Sequence, residues 1–489
     1  MLLLNTVKIK KKRKKSRNTL FIYNKRCLCY NLVERKGHIM NDTICAIATL
    51  VGESSINLIR ISGKESIKIV DKIFNKNLLN KETHTITYGF IVNDNEKIDE
   101  VLVSVFKSPK TFTREDVVEI NTHGGKTSVN RIMDLLLENG CRLAEPGEFL
   151  KRAFLNGRID LVEAESVSDM INSTTQAARK MSMRGISKEL SNRINKLREE
   201  VLSLIANIEV NIDYPEYEDA VIVTQELIKE KIEYVESKIK EMIDLSKNGI
   251  IIKNGLSIAL AGKPNVGKSS ILNALLGEDK AIVTDIKGTT RDIVEGSILI
   301  NGISVNLFDT AGIRETEELV ESIGIKRSID KIKESDLVLF VIDSSSDFEN
   351  EDKQVLDSLD ENNKVLVVYN KIDIGNNKIK ELEGFDSIEI SSNDKNKIEE
   401  LKNKISEMFN LDDISNSDYT YISNVRQISL LKSCLNIIND IKKELELDTP
   451  VDLMELNIKL LWETLGEITG NVYKDELLDE IFSKFCLGK

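Results

Sequence analysis

The sequence predicts a multidomain α+β protein in which a parallel α/β unit is set into an otherwise helical stretch. Three observations predict it. Residues from 43 to about 160 alternate short β-rich pieces with helical ones. Residues 161–247 carry apolar side chains at three- and four-residue steps, and so do residues 423–485. Between these stretches, from 256 to about 408, strand-like and helix-like segments alternate, the pattern of a parallel sheet covered by helices. A chain of 489 residues exceeds one hydrophobic core, so about three domains are expected.

Each element has its own local signal. Residues 56–61 (INLIRI), 100–106 (EVLVSVF) and 117–121 (VVEIN) read as strands, the last running into a turn at His123-Gly124-Gly125. Residues 128–139 show helical spacing through Ile132, Leu135, Leu136 and Leu137. In the helical stretch, Ala164, Val167, Met170 and Ile171 recur on one face, as do Leu197, Val201, Leu204 and Ile205. Tyr214-Pro215 ends a helix, because proline lacks the amide and disfavours helix in the residue before it. Residues 337–342 (LVLFVI) are a buried strand by length; no apolar run approaches the ~20 residues a membrane helix needs. The expected domains are 40–158, a helical domain in two parts (159–254 and 411–489), and an insert over 255–410.

Composition is that of a globular chain, 41% apolar and 30% charged. The net charge of −12 argues against coating nucleic acid with a basic surface, although a local basic patch remains compatible with RNA. Residues 1–39 are the exception, with Lys and Arg far outnumbering the single Glu34. That leader reads as a nucleic-acid arm, as part of a targeting leader, or as sequence upstream of a start at Met40; the last is preferred, and disorder is expected there. The six Cys form no CxxC pair and there are three His, so zinc is not indicated and reduced thiols are expected.

Four segments carry chemistry. Residues 257–261 (SIALA) form a strand that runs into GKPNVGKS at 262–269, with a helix after it. A glycine-containing loop between strand and helix lets the amides of Asn265, Val266 and Gly267 converge on phosphate, with Ser270 one residue further on. Lys268 is placed to bridge the β- and γ-phosphates and the Ser269 hydroxyl to ligate Mg2+. GTTRD at 288–292 supplies Thr290 as a second hydroxyl on Mg2+. DTAG at 309–312 supplies Asp309, holding Mg2+ through water, and the Gly312 amide on the γ-phosphate, with Thr310 and Ala311 between. NKID at 370–373 supplies Asn370, Lys371 along the base, and Asp373, whose carboxylate accepts from guanine N1–H and the exocyclic amine. Adenine lacks that donor pair, so the ligand is GTP·Mg2+. Ser391, Ser392 and Asn393 stand where a last base contact belongs, or form an ordinary loop. No Gln follows DTAG, so the group that positions water comes from elsewhere. Glu315, Glu317, Glu318 and Glu321 by themselves read as a solvated helix start.

Beyond the nucleotide motifs, several blocks carry a resemblance. They are NDTICAIAT (41–49), LIRISG (58–63), FTREDVVEINTHGG (112–125), EPGEFLKRAFLNGRIDLVEAE (145–165), AIVTDIKGTTRD (281–292), DTAGIRE (309–315) and the terminal FCLGK (485–489). With these the chain resembles the MnmE (TrmE) family of tRNA-modification GTPases over residues 41–489. The resemblance implies an N-terminal α+β folate-binding-like domain that makes a homodimer, an all-α helical domain and an inserted Ras-like α/β P-loop G domain. It implies a cytoplasmic protein, without membrane association, that acts on tRNA in a heterotetramer with an FAD-dependent MnmG-like partner. The pair would install an aminomethyl or carboxymethylaminomethyl group at C5 of the wobble uridine, with a tetrahydrofolate derivative (5,10-methylene or 5-formyl) as cofactor.

The resemblance also assigns residues. K+ would be held by Asn265, Thr284, Ile286 and Thr289, within a nucleotide-binding loop that includes Asp285, Lys287 and Gly288. Glu321 would position the attacking water indirectly and Arg291 would help organise the switch. Arg60, Glu119, Arg158 and Lys489 would contact the folate, and Cys486 would serve the modification chemistry. Read as residues alone, Asn265 is a turn residue after Pro264, Cys486 a small hydrophobe, and Arg60, Glu119 and Arg158 ordinary ion pairs. The family usually has a Pro- and Gly-rich turn where this chain has Leu50-Val51-Gly52-Glu53-Ser54-Ser55. A GTP-switched scaffold that only times assembly is the competing reading, which the FCLGK terminus and the 145–165 block disfavour.

Overall fold

The computed structural model describes residues 42–50, 54–94, 96–213, 223–278, 296–309, 332–359, 363–375, 377, 379–416, 421–485 and 488. It divides into two compact units, one holding the chain up to Ala164 together with the stretch from Gly470, the other Glu165–Thr469.

The first unit is built on a six-stranded sheet. Its elements are β1 (Thr43–Ile47), β2 (Ser54–Ser62), α1 (Ser66–Ile73), β3 (Thr85–Asn93), β4 (Glu96–Phe106), β5 (Val117–Gly124), α2 (Lys126–Glu138), β6 (Cys141–Leu143) and α3 (Glu148–Leu155). Strand order is β3-β4-β5-β2-β1-β6, antiparallel except for the parallel β1–β6 pair. Alternation along each strand sends Ile59, Ile61, Val103, Val118 and Ile120 into a core shared with Ile132 and Leu136 of α2. The intervening residues point to the opposite face, and register sets Arg60 of β2 across from Glu119 of β5.

The expected turn at His123-Gly124 is instead the end of β5. A Cβ on Gly124 would lie 1.6 Å from the Ser54 carbonyl oxygen, so the glycine permits a close backbone approach inside a strand, next to a register shift at Ser54/Ile56.

Arg152 on α3 is 1% exposed and gathers three carboxylates, from Asp42 at 2.8 Å, Glu148 at 3.0 Å and Glu115 at 3.2 Å. The terminal stretch returns to the same helix. Phe482, in the helix Asp475–Ser483, packs against Phe154 with centroids 6.2 Å apart. Gly147 has φ 67°, and a Cβ there would fall 2.4 Å from the Phe482 carbonyl oxygen.

A helix, α4 (Leu161–Asn172), runs across the division between the units. The second unit continues with α5 (Gln176–Ile186), α6 (Glu189–Asp213) and α7 (Gln225–Asn254), and closes with α12 (Val425–Glu446) and α13 (Val451–Thr469). Between α7 and α12 lie β7 (Leu256–Ala261), α8 (Lys268–Glu278), β8 (Gly296–Ile300), β9 (Ile303–Asp309), β10 (Leu337–Asp343), α9 (Asn350–Asp357), β11 (Lys364–Asn370), β12 (Asp386–Glu389), α10 (Lys395–Phe409) and α11 (Leu411–Asn416).

The long helices bury their periodic faces, Leu197, Val201 and Leu204 on α6 and Ile458, Leu461 and Leu465 on α13. Arg426 at the start of α12 binds both carboxylate oxygens of Glu165, at 2.8 and 2.9 Å. The second sheet has order β12-β11-β10-β7-β9-β8 and is parallel except for β8. Its central strands β7, β10 and β11 are apolar on both faces, as a sheet covered by helices requires. Among the described residues no helix is long and apolar enough to cross a membrane.

The Arg152 cluster yields a test. Replacing Arg152 with Leu leaves the 2%-exposed Glu148 with Arg142 as its remaining guanidinium partner and takes the buried cation from Glu115 and Asp42. Losing one side of a buried ion pair costs about 3 kcal/mol. Thermal unfolding of Arg152→Leu is therefore expected to show a clearly lowered melting temperature; an unchanged one would show that this cluster does not hold the first unit together.

Candidate functional site

The phosphate-loop segment lies at the carboxyl edge of β7, in the middle of the second sheet, where ligands of open parallel sheets bind. Its path depends on two glycines. Gly262 has φ 149°, and a Cβ there would lie 2.4 Å from the Val341 carbonyl oxygen. Gly267 has φ 99°, and a Cβ there would meet Asn370 Nδ2 at 2.2 Å. Between them Asn265 is exposed and adopts φ 65°. Val266 points into the core, and α8 begins at Lys268.

Lys268 is 5% exposed and its Nζ donates to the carbonyls of Gly262 at 2.6 Å and Lys263 at 2.8 Å. Burial pushes this ammonium below the usual lysine value, against the pull of Asp309. Ser269 Oγ lies 3.1 Å from Asp309 Oδ2, so the loop hydroxyl and the carboxylate ending β9 face one point. Among the described residues no cluster of His, Cys, Asp or Glu is otherwise placed to hold a metal ion. A Mg2+ ion here fits an oxygen-only donor set of one hydroxyl and one carboxylate, completed by phosphate and water. Ser270 is exposed on α8.

The base motif is tied to this loop. Asn370 is fully buried; its Nδ2 donates to the Val266 carbonyl at 2.9 Å and its Oδ1 accepts from the Ser392 amide at 3.2 Å. Lys371, at φ 63°, donates from Nζ to the Asn265 carbonyl at 2.9 Å and to Asp343 Oδ2 at 2.6 Å. Burial opposes the Asp343 charge, but the bonds from Lys371 and Ser345 hold its carboxyl below the usual range. Asp373 is exposed, Ser391 buried, Ser392 half-buried and Asn393 exposed on the neighbouring loop. The structure thus brings together Asn265, Val266, Gly267, Lys268, Ser269, Asp309, Asn370, Lys371 and Ser392. Thr284, Asp285, Ile286, Lys287, Gly288, Thr289, Thr290, Arg291, Thr310, Ala311, Gly312 and Glu321 lie outside the described residues.

A second feature belongs to the first unit. A cavity of about 510 Å³ is lined by Arg60, Glu119 and Arg158, together with His84, Lys110, Phe112 and Arg114 among others. Arg60 Nε donates to Glu119 Oε1 at 2.8 Å and its Nη1 to the Gly488 carbonyl at 3.0 Å. The Arg158 guanidinium sits 4.6 Å from the Phe112 ring centroid. The wall offers several cations against one carboxylate already paired, plus an aromatic face, a combination that suits a planar ligand with negative charge. Cys486 and Lys489 lie outside the described residues.

Sequence reasoning missed Asp343, and with it the brace on Lys371; its only signal is a carboxylate at the end of an apolar strand. It also missed Lys110, which carries no pattern of its own, and Phe112 and Arg114, which stand in the 112–125 block without a role assigned to them.

Comparison with known proteins adds to this geometry. Residues 43–158 match the family described as GTP-binding protein TrmE N-terminus, and residues 161–486 match the MnmE helical domain. The tRNA modification GTPase MnmE of Listeria welshimeri is 48% identical over 92% of this chain and 99% of its own. That of Streptococcus thermophilus is 47% identical over 92% and 98%. A structure of Era from Aquifex aeolicus is 26% identical over 37% of this chain and 66% of that one, with a TM-score of 0.25, too low to bear on the assignment.

The Asn370 bridge yields a second test. Asn370→Ala removes one buried and one partly buried hydrogen bond and leaves the Val266 carbonyl without that donor. Its expected effect is a GDP dissociation constant raised about tenfold or more, read by calorimetry on folded protein. An unchanged constant would mean that the bridge does not shape the site.

Proposed function

Because the chain belongs to the MnmE family of tRNA-modification GTPases, and is thus a GTP-hydrolysing enzyme of tRNA modification, we propose its full activity as follows. It hydrolyses GTP in a potassium-dependent manner. With an FAD-dependent MnmG-like partner it adds an aminomethyl or carboxymethylaminomethyl group to C5 of the wobble uridine of certain tRNAs. It works in the cytoplasm as a homodimer, and as a heterotetramer with the partner. The observation that carries the nucleotide half is the convergence of Ser269 and Asp309 at 3.1 Å beside a loop braced by Asn370. The modification half rests on likeness across nearly the whole length of the relatives.

The chain's own residues do the following. Gly262 and Gly267 let the loop backbone approach phosphate, and Lys268 supplies the cation. Ser269 and Asp309, with Thr290, would hold Mg2+, which neutralises charge on the phosphates. Asp373 accepts from the guanine edge, Lys371 lies along the base, and Ser391, Ser392 and Asn393 close the base side. Asn265 with Thr284, Ile286 and Thr289 would hold K+, in the charge-neutralising place of an arginine finger. Glu321 positions the attacking water and Arg291 organises the switch.

In the first unit, Arg60, Glu119, Arg158 and Lys489 would hold a 5,10-methylene or 5-formyl tetrahydrofolate, which supplies the one-carbon unit. Arg158 on Phe112 offers a flat cationic surface for it. Cys486 serves the modification step, and the bond from Arg60 to Gly488 supports a terminus held near that cavity.

Two measurements decide the reading. GTP turnover in potassium chloride is expected to exceed that in sodium chloride severalfold; equal rates would remove the assigned role of Asn265. Mass spectrometry of tRNA from cells lacking this protein is expected to show wobble uridines without the C5 group; unchanged tRNA would leave the scaffold reading in its place.

A further inference from the structure

Lys263 occupies a position that the phosphate-loop pattern leaves open, since the pattern asks for glycine, lysine and serine elsewhere. Its side chain is nevertheless engaged. Nζ lies 2.8 Å from Glu349 Oε2 and 3.0 Å from Asp352 Oδ2. Asp352 is 1% exposed, and its Oδ2 also accepts from the Glu349 amide at 3.0 Å, closing the capping box that starts α9. The other oxygen, Oδ1, has no hydrogen-bond partner among the described residues. A buried carboxylate with acceptor capacity unused depends on its cation, so this is not an exchangeable surface pair.

A second link reaches the same loop two residues on. Asp343 holds Lys371, and Lys371 holds the Asn265 carbonyl. The connection from β10 to α9, residues 343–352, therefore grips the loop on both sides of Pro264. Asn265, whose carbonyl is the second anchor point, keeps φ 65°, an uncommon conformation for a residue with a side chain. The Lys263 carbonyl also accepts from Lys268 Nζ at 2.8 Å, so the backbone that the latch holds is the backbone the phosphate lysine touches.

We propose that Lys263 and Asp352 are positioning residues of the GTPase, an ion-pair latch from the phosphate loop to α9 that holds the Pro264-Asn265 turn in the shape that receives the nucleotide. The latch acts through the loop backbone and touches no substrate. It rests on nucleotide binding at this loop, and the test separates the two.

The experiment uses the full chain. Lys263→Met, Lys263→Arg, Asp352→Asn and the Lys263→Met/Asp352→Asn double variant are compared with wild type for GDP affinity, kcat and KM for GTP, and melting temperature. Lys263→Met and Asp352→Asn are each expected to raise the GDP dissociation constant about tenfold. The double variant is expected to be no weaker than the weaker single one, as for partners in one interaction. Lys263→Arg, which keeps the charge, is expected to stay close to wild type. GDP affinity of Lys263→Met within about twofold of wild type overturns the proposal whatever the melting temperature does, and so do losses that simply add in the double variant. If Asp352→Asn does not fold, the contrast between Lys263→Met and Lys263→Arg decides alone. Wild-type protein that binds no GDP would sink the nucleotide reading and the latch together.

Discussion

The side-chain amide of Asn370 is the interaction on which the nucleotide site depends. It ends β11, is fully buried, and spends its donor on the phosphate loop and its acceptor on the loop after β12. The phosphate loop, 104 residues away in sequence, and the loop after β12, 22 residues away, thus share one rigid reference point. A buried amide pays for desolvation unless both ends are bonded, so the geometry is strongly specified. Gly267 follows from the same constraint, because any Cβ would collide with that amide. The glycine is required by packing as well as by backbone conformation.

Acidic residues on the β10 side complete the frame. Asp343 and Asp352 sit on a strand end and a helix start, elements whose positions the core sets. Each holds a lysine of the nucleotide motifs or their neighbour. Lys371 and Lys263 have long, flexible side chains, and carboxylates on rigid elements fix where their charges sit. Lys268 stands apart. It is held by backbone carbonyls, and burial pushes its ammonium below the usual lysine value.

The first unit works by a different rule. Alternation along β2 and β5 spends one face on the core and leaves Arg60 and Glu119 on the other, where register makes them partners. Arg60 then has a guanidinium arm left for the Gly488 carbonyl. One side chain of the cavity wall thus also holds Gly488 of the terminal segment.

The succession of α+β, helical and α/β segments was determined by sequence alone, because periods of 2 and 3.6 are local properties of the chain. The strands over 56–61, 100–106, 117–121, 257–261 and 337–342 all lie within strands of the structure. The nucleotide motifs were legible for the same reason, each being a short segment whose spacing meets one ligand. The turn expected at His123-Gly124 failed because nothing local reveals that Ser54 will lie against that glycine. The pairing of Arg60 with Glu119, the stacking of Arg158 on Phe112 and the grip of Asp352 on Lys263 were decided only by tertiary structure. Sheet register and helix packing bring those residues together, and both are set by burial of a distributed apolar surface that no single segment carries.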